Sequence, residues 1–211
     1  DWDGQCLHVR FDEVGVPWPH RVRGHVRVWP QRLFDYSVPL DGAGRHRWGP
    51  IAPHAHVEVE LEQPNLRWCG HAYLDSNEGD EPIDAAFVHW DWSRTLHIDG
   101  STEVTYDLHG PDRPVRLLRL RFDPAGQVDT LQDVPARKLP HTLWRVPRRA
   151  RGHDHPRLAM QLEDTPFYQR CLLARPALGS DVHTFHESLS MPRFVSPLVQ
   201  AMLPWRMPRR H

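Results

Sequence analysis

Proline is spread along almost the whole chain and sets the strongest limit on its fold. The 211 residues include 21 prolines, which run from Pro17 to Pro208. Proline lacks a backbone N–H and its ring clashes with the preceding helical turn, so it is accepted mainly in first helical turns, in loops and at strand edges. Long helices are therefore nearly excluded, and the sequence predicts a fold of short elements.

Between the prolines, apolar residues alternate with polar ones. This period of two is typical of a strand with one buried face, and it occurs at residues 22–28, 56–61, 96–98, 104–108, 118–122 and 167–173. Turn-forming residues separate several of these segments, at 99–100, 110–112 and 123–126. The pattern predicts an all-β fold of antiparallel strands, with one helix over residues 188–203, where Pro192 and Pro197 would lie near helix starts.

Composition narrows the classes of partner. Lys and Arg total 26 against 27 acidic residues, for a net charge of −1, whereas nucleic-acid binders normally carry a basic surplus. No window approaches the ~18 apolar residues of a membrane-spanning helix. Three widely spaced cysteines, Cys6, Cys69 and Cys171, predict neither a disulfide framework nor a cysteine metal site. We expect a cytoplasmic protein that binds no nucleic acid.

Aromatic and acidic residues are densest in two neighbouring segments, GHAYLDSNEGDEP at residues 70–82 and FVHWDWSR at 87–94. On a strand, Tyr73 and Asp75 would project from one face, as would Trp90 and Trp92, because side chains repeat every two residues. An acid beside aromatic rings is an uncommon environment and marks this region as a candidate site.

These two segments resemble the signature of the carotenoid 1,2-hydratase (hydroxyneurosporene synthase) family. HESLSMPRF at residues 186–194 and MLPWRMPR at 202–209 resemble the end of the same family, so the chain is similar to its C-terminal portion. The resemblance implies a cofactor-independent hydro-lyase that hydrates acyclic carotenes such as neurosporene or lycopene. It also implies lipocalin-like antiparallel β-barrels in tandem, with an incomplete first barrel over 1–95 and a second over 96–211.

The resemblance further implies four functional residues, which fall on His46, Trp48, Tyr73 and Asp75. Hydration of an isolated trisubstituted alkene begins with proton transfer to carbon and passes through a tertiary carbocation. A carboxyl group with the ordinary pKa of ~3.9 is ionised at neutral pH, so a proton donor here needs burial among apolar groups. We expect Asp75 to be that donor.

The other three residues would act on the cation and the water. Trp48 and Tyr73 would place aromatic faces against the cation, an interaction of ~2 kcal/mol or more when desolvated. His46 would orient the attacking water, accept its proton, or hydrogen-bond to Asp75.

Four further aromatic residues are predicted to bind the substrate: Trp68, Phe87, Trp90 and Trp92. Asp91 and Arg94 are a candidate buried ion pair. The histidine pairs His54/His56 and His153/His155 could each ligate zinc from one strand face, but no HExxH motif or Cys/His cluster accompanies them. We therefore expect no metal.

Two alternatives to a hydratase remain open at this stage. A non-enzymatic lipocalin-like binder would use the same barrel and aromatic residues to hold a hydrophobic ligand but needs no buried acid. A related terpenoid cyclase would replace water with an internal nucleophile. Carotenes dissolve in bilayers, so the apolar and basic tail at residues 203–210 is a candidate for peripheral membrane contact, and the sequence does not predict an oligomeric state.

Overall fold

A computed structural model describes residues 1–14, 19–111, 114–175 and 182–203. The prediction of an all-β fold with few short helices is confirmed, since fourteen strands and three helices make up the regular structure of this part of the chain. The strands are β1 Leu7–Val14, β2 Arg21–Pro30, β3 Val38–Pro39, β4 His46–Gln63, β5 Leu66–Gly79, β6 His89–Leu96, β7 Thr102–His109, β8 Pro114–Phe122, β9 Val128–Thr130, β10 Ala136–Lys138, β11 Arg149–Arg151, β12 Arg157–Asp164, β13 Tyr168–Ala174 and β14 His183–Ser190. The helices are α1 Ile83–Ala86, α2 Met191–Phe194 and α3 Pro197–Met202.

The first sheet is built around the two longest strands, β4 and β5. Its order is β1-β2-β4-β3, with β5 also paired to β4, and all pairings are antiparallel. In the region of β2, apolar residues share one face, since Val26 pairs with Val59 and Val28 with Val57. The opposite face carries ion pairs such as Arg27–Glu58. The period-two pattern of residues 22–28 and 56–61 therefore describes real strands with one apolar face.

The second sheet has seven strands in the order β12-β13-β14-β6-β7-β8-β9, and a separate small sheet pairs β10 with β11. The main core lies where the two large sheets meet. Trp48 of β4 and Leu40, which directly follows β3, pack in one cluster with Tyr106, Leu108 and Phe122 of the second sheet. Apolar side chains removed from water in this way stabilise a fold by ~25 cal/mol per Å², so the two sheets hold each other in place.

Two of the predicted turns contain the expected glycine geometry. Gly126 has a φ of 97° and donates its backbone N–H to the Asp123 carbonyl at 3.1 Å. Gly100 has a φ of 79° in the turn that follows Asp99. Glycine tolerates these left-handed conformations because it has no Cβ. The third predicted turn reaches Asp112, which lies outside the described residues.

Two sequence predictions were wrong. Residues 96–98 were predicted to be a strand, but β6 ends at Leu96 and the next residues begin the turn to β7. The helix predicted over 188–203 starts later and is broken, because residues 188–190 belong to β14 and two short helices follow. Pro192 and Pro197 each occupy the first turn of one of these helices, the position that proline accepts.

The division into 1–95 and 96–211 stays a prediction. Its boundary falls at the end of β6, which pairs along its whole length with β7 and with β14 at residues 89–95. Within the described ranges, no hydrogen-bonded pairing connects the two edge strands of either large sheet. Antiparallel sheets of this kind are nevertheless compatible with a lipocalin-like fold. In the same part of the chain, no helix has the length and apolar character needed to cross a membrane. Residues 204–211, which include most of the candidate membrane-contact tail at 203–210, lie outside the described residues.

Candidate active site

A cavity of about 440 Å³ opens between β5 of the first sheet and strands of the second. This volume is in the range of small-molecule sites. The lining residues come from β5, β6, β7, β13 and β14: His71, Tyr73, Asp75, Asn77, Trp90, Trp92, Arg94, Tyr106, Arg170, Phe185 and Glu187. The predicted residues Tyr73, Asp75, Trp90 and Trp92 therefore lie around one space.

The Asp75 carboxylate is held by a tryptophan from the neighbouring strand. The indole Nε1–H of Trp48 donates a hydrogen bond to Asp75 Oδ2 at 2.8 Å. Trp48 is only 1% exposed and belongs to the main core, whereas Asp75 is half-buried and faces the cavity. Because an indole N–H can only donate, the contact fixes Oδ2 as an acceptor and leaves Oδ1 free of this bond.

Tyr73 lies two residues before Asp75 and contacts it electrostatically. Its ring centroid is 5.0 Å from that of Trp92. Its buried hydroxyl has no hydrogen-bond partner of good geometry, although Asp75 and Trp48 both lie near it. Burial, together with the nearby negative charge of Asp75, raises the pKa of Tyr73 well above its usual value. Tyr73 is therefore a neutral phenol and cannot serve as a base near neutral pH.

Further aromatic rings enclose the same space. Tyr106 has its ring centroid 5.6 Å from Trp48 and 6.2 Å from Trp90, both edge-on, and Trp92 lies 6.4 Å from Phe185. Burial raises the pKa of Tyr106 as well. The cavity thus has a wall of uncharged aromatic rings next to the Asp75 carboxyl group.

Two arginines also reach the cavity, and they differ in their partners. Arg170 forms an ion pair with Glu187 at 3.1 Å. Arg94 has no ion pair within 4 Å among the described residues, and its Nε and Nη2 atoms are buried without hydrogen-bond partners. Its guanidinium carbon lies 5.7 Å from the centroid of the Tyr73 ring. Burial lowers the pKa of Arg94, partly offset by Tyr73.

Comparison with known proteins places the chain in a family. Residues 1–211, the entire chain, match the family model described as carotenoid hydratase CrtC. The chain belongs to the carotenoid hydratase family. The resemblance seen in the sequence motifs is thereby confirmed.

Relatives in this family are longer than the chain. It is 52% identical over 211 residues to the acyclic carotenoid 1,2-hydratase of Rubrivivax gelatinosus and 46% identical over 212 residues to that of Thiocapsa roseopersicina. Each match covers 99% of the chain and 52% of the relative. The acyclic carotenoid 1,2-hydratase of Cereibacter sphaeroides is 34% identical and is covered to 75%. The chain thus spans about half the length of the first two hydratases.

Trp48 does not line the cavity itself and is connected to it through its hydrogen bond to Asp75. Three other residues predicted for the hydratase site also lie outside the cavity lining. His46 is buried, with its ring centroid 5.2 Å from Phe87 and its Nε2 3.7 Å from Glu81 Oε1. Phe87 is fully buried in the core. Trp68 is 50% exposed on the apolar face of β5, opposite Val59. Roles for these three in the hydratase remain predictions.

The predicted ion pair between Asp91 and Arg94 was wrong. Residues three apart on a strand point to opposite faces, so Arg94 faces the cavity while Asp91 lies on the other side of β6. There Asp91 accepts hydrogen bonds from the Ser188 hydroxyl at 2.5 Å and from the Arg149 backbone N–H at 3.1 Å.

Asp91 belongs to a closed polar network between β6 and β14. His186 contacts Ser188 through Nε2 at 3.1 Å and Ser93 through Nδ1 at 2.8 Å. Since the Ser188 proton points to Asp91, Nε2 must donate to Ser188 and Nδ1 must accept from Ser93. Burial lowers the pKa of His186 to about 4, so this histidine is neutral.

Several cavity residues were not found from the sequence, namely Tyr106, Arg170, Phe185 and Glu187. The available signal was the two-residue spacing of Phe185 and Glu187, at the start of the family-like segment 186–194. This spacing could not reveal that β14 pairs with β6, because paired residues of the two strands are about 90 or more positions apart, as Arg94 and Phe185 are. Nowhere in the described ranges do three or more His, Cys, Asp or Glu side chains form a group that could hold a metal ion.

Proposed function

We propose that this chain carries the active site of an acyclic carotenoid 1,2-hydratase, which adds water across the C1–C2 double bond of carotenes such as neurosporene and lycopene. The observation that carries the proposal is the Asp75 carboxyl group, held by Trp48 at the edge of an aromatic cavity. The names of the relatives supply the reaction class. A cavity of about 440 Å³ suits the end of a long polyene rather than all of it.

Asp75 is the proposed proton donor. In the neutral acid, Oδ2 is the carbonyl oxygen that accepts the Trp48 N–H, and Oδ1 carries the proton into the cavity. After proton transfer the carboxylate is negative, and hydrogen bonds to an ionised acceptor are stronger than those to a neutral one. The Trp48 contact therefore stabilises the state after transfer more than the state before it, which is the requirement for catalysis.

The aromatic wall is the proposed stabiliser of the cation. Proton transfer to C2 leaves the positive charge on C1, a tertiary centre. The rings of Tyr73 and Trp92, 5.0 Å apart, offer π faces that attract a cation without reacting with it, an interaction of ~2 kcal/mol when desolvated. The raised pKa of Tyr73 supports this role, because the neutral phenol does not remove a proton from the cation.

Water capture completes the reaction without a cofactor. A water lone pair forms the C1–O bond, and the resulting oxonium ion returns a proton to the Asp75 carboxylate. The π bond between C1 and C2, one O–H bond of the acid and one O–H bond of water are broken. One C–H, one C–O and one acid O–H bond are formed, and there is no net oxidation or reduction. Asp75 ends in its starting protonation state.

We assign the remaining predicted residues supporting roles. His46 shares a strand face with Trp48 and packs on Phe87 near Glu81, so we propose that it positions this end of β4 rather than moving protons. Trp90 and Trp92 line the cavity and are proposed to bind the substrate there. Trp68 lies on the other face of β5, opposite Val59, so its proposed substrate contact lies outside the cavity. Because its substrate dissolves in bilayers, we propose a cytoplasmic protein that contacts the membrane surface.

The test is incubation of the full-length protein with lycopene or neurosporene in the absence of oxygen, followed by mass analysis of the recovered carotenoid. Gain of one water is the expected result. Recovery of unchanged, tightly bound carotene would indicate a non-enzymatic binder, and an isomer of unchanged mass and altered absorption would indicate a cyclase. Either of these outcomes would contradict the proposal.

A further inference from the structure

Arg94 is the one charged side chain of the cavity for which the described residues provide no hydrogen-bond or ion-pair partner at two of its nitrogens. Asp75 accepts a hydrogen bond from Trp48, and Arg170 and Glu187 pair with each other. Arg94 Nε and Nη2 are both buried and unpartnered. Burying a cation without partners costs several kcal/mol, so an acceptor that enters the cavity would stabilise Arg94. A single unpartnered Nε is not the distinguishing feature, since Arg27, Arg119 and Arg137 share it; Arg94 differs in lining the cavity that contains Asp75.

Protein atoms cover Nε and Nη2, so a molecule in the cavity meets the guanidinium group at the part that lines the cavity. The guanidinium group holds its N–H donors in a rigid, planar fork. The group is also held in place, because its Cζ lies 5.7 Å from the Tyr73 ring centroid and β6 pairs on both sides, with Val104 and Phe185 opposite Arg94. A fixed, planar donor group can position a small oxygen-containing molecule against the bound substrate.

The chemistry of the proposed reaction restricts what that molecule is. An acyclic carotene is a hydrocarbon and offers no oxygen or nitrogen acceptor. The only reactant with lone pairs is water, and its oxygen has two: one can accept from Arg94 while the other attacks carbon. We propose that Arg94 binds the attacking water and so directs the carbocation toward hydration instead of proton loss. This inference rests on the proposed function.

The alternative fate of the cation makes the role measurable. When no water is in place, the tertiary cation loses a proton from a C1 methyl group to the Asp75 carboxylate. The C–H bonding pair then forms a terminal methylene double bond, and the isomer keeps the hydrogen that Asp75 added at C2. In heavy water this by-product carries one deuterium and no added oxygen. The hydrated product carries one carbon-bound deuterium and one oxygen.

The experiment compares the full-length protein with two variants in heavy water, using lycopene under anaerobic conditions. Arg94→Met keeps the length of the side chain without its donors, and Arg94→Lys keeps the charge without the planar fork of donors. The measured quantity is the ratio of hydrated product to deuterated, unhydrated carotene. We expect Arg94→Met to lower this ratio at least about tenfold, as loss of a hydrogen bond to a charged group does, with Arg94→Lys in between.

The matched control is Arg121→Met, since Arg121 is paired with Asp99 at 2.5 Å and does not line the cavity. Its product ratio should equal that of the unmodified protein. Because the ratio counts only molecules that have been protonated, a variant with little folded protein still reports it. An unchanged ratio or faster hydration in Arg94→Met, with normal hydration by the unmodified protein, would overturn the role of Arg94 alone. Absence of hydration by the unmodified protein would overturn both this role and the proposed function.

Discussion

The two faces of the ladder between β6 and β14 carry similar side chains and differ in how completely they are paired. On one face, Ser93, His186, Ser188 and Asp91 form a buried network in which each side-chain oxygen and nitrogen has a partner. On the other face, Arg94 lines the cavity with two unpartnered nitrogens. Successive residues of the same two strands therefore enter two different environments.

This difference separates a structural cluster from a candidate site. A serine, a histidine and an aspartate in hydrogen-bond contact have the composition of a catalytic triad, but here the group is sealed in the interior and its donors and acceptors are used up. Satisfied polar networks stabilise a fold, whereas unsatisfied buried groups call for a ligand. The catalytic chemistry is accordingly expected at Asp75 on the cavity face and not at Asp91.

The largest effect is expected from Asp75→Asn. Asparagine keeps the size and polarity of the side chain and can still accept the Trp48 N–H, but it cannot deliver a proton. Hydration should fall by at least the ~10²–10⁴-fold that a general acid contributes, while the melting temperature stays close to that of the unmodified protein. Product formation by mass analysis and thermal unfolding would be measured on the same preparation.

Asp129→Asn is the control for this substitution, because Asp129 is an exposed aspartate on β9. It should leave hydration unchanged. Near-normal turnover by a well-folded Asp75→Asn protein would contradict the assignment of the proton donor to the cavity face.

A second prediction concerns acid stability and the closed network. The folded pKa of His186 is lowered to about 4 from the ordinary 6.5, mainly by burial, so the unfolded chain takes up a proton at a higher pH than the folded one. The stability that depends on neutral His186 is fully present above pH 6.5 and is lost as the pH falls toward about 4. The free energy of unfolding should drop by up to about 3 kcal/mol across this window, measured by urea unfolding at a series of pH values.

The chain has sixteen histidines, so the slope needs a matched comparison. His186→Gln should remove much of the loss between pH 6.5 and 4, whereas His155→Gln, at an exposed position, should leave it unchanged. Equal slopes in all three proteins would show that the closed network does not contribute to acid unfolding.

A smaller loss of stability is expected from Asp91→Asn. The amide keeps the shape but replaces one acceptor oxygen by a donor, so either the Ser188 hydroxyl or the His89 imidazole loses its partner. An unsatisfied buried polar group costs ~1–3 kcal/mol. We expect that loss in the free energy of unfolding, with unchanged hydration per folded molecule, because Asp91 does not face the cavity. A large loss of activity in protein that remains folded would remove the distinction between the two faces.

The residues that line the cavity could be predicted from the sequence in part. The closed polar network around Asp91 and His186 could hardly be predicted at all. Proline placement and period-two alternation were enough for the all-β fold. The two-residue spacing was enough to place Tyr73 with Asp75, and Trp90 with Trp92, on shared strand faces, but the meeting of the two pairs around one cavity depends on how the sheets pack. The predicted pairing of Arg94 with Asp91 failed because side chains three residues apart on a strand point to opposite faces. The contacts of β14 with β6, and with them Glu187 and His186, depend on a pairing that joins residues about 90 positions apart, as Thr95 and Thr184 show. Local patterns carry no information on such pairing.

The smallest effect is expected from Tyr73→Phe, which tests how the cavity face uses its tyrosine. The Tyr73 hydroxyl is buried without a hydrogen-bond partner of good geometry, so its removal should leave the free energy of unfolding unchanged or raise it, by no more than the ~1–3 kcal/mol that an unsatisfied buried group costs. Phenylalanine keeps a π face toward Trp92 and Arg94, and the proposed cation contact depends on that face. Hydration should therefore fall by less than about threefold in Tyr73→Phe but by at least about tenfold in Tyr73→Leu, because loss of a desolvated cation–π contact is worth ~2 kcal/mol. If Tyr73→Phe instead matched the loss seen in Asp75→Asn, the hydroxyl would take part in proton transfer, and the division of roles between a carboxyl donor and a purely aromatic wall would be wrong.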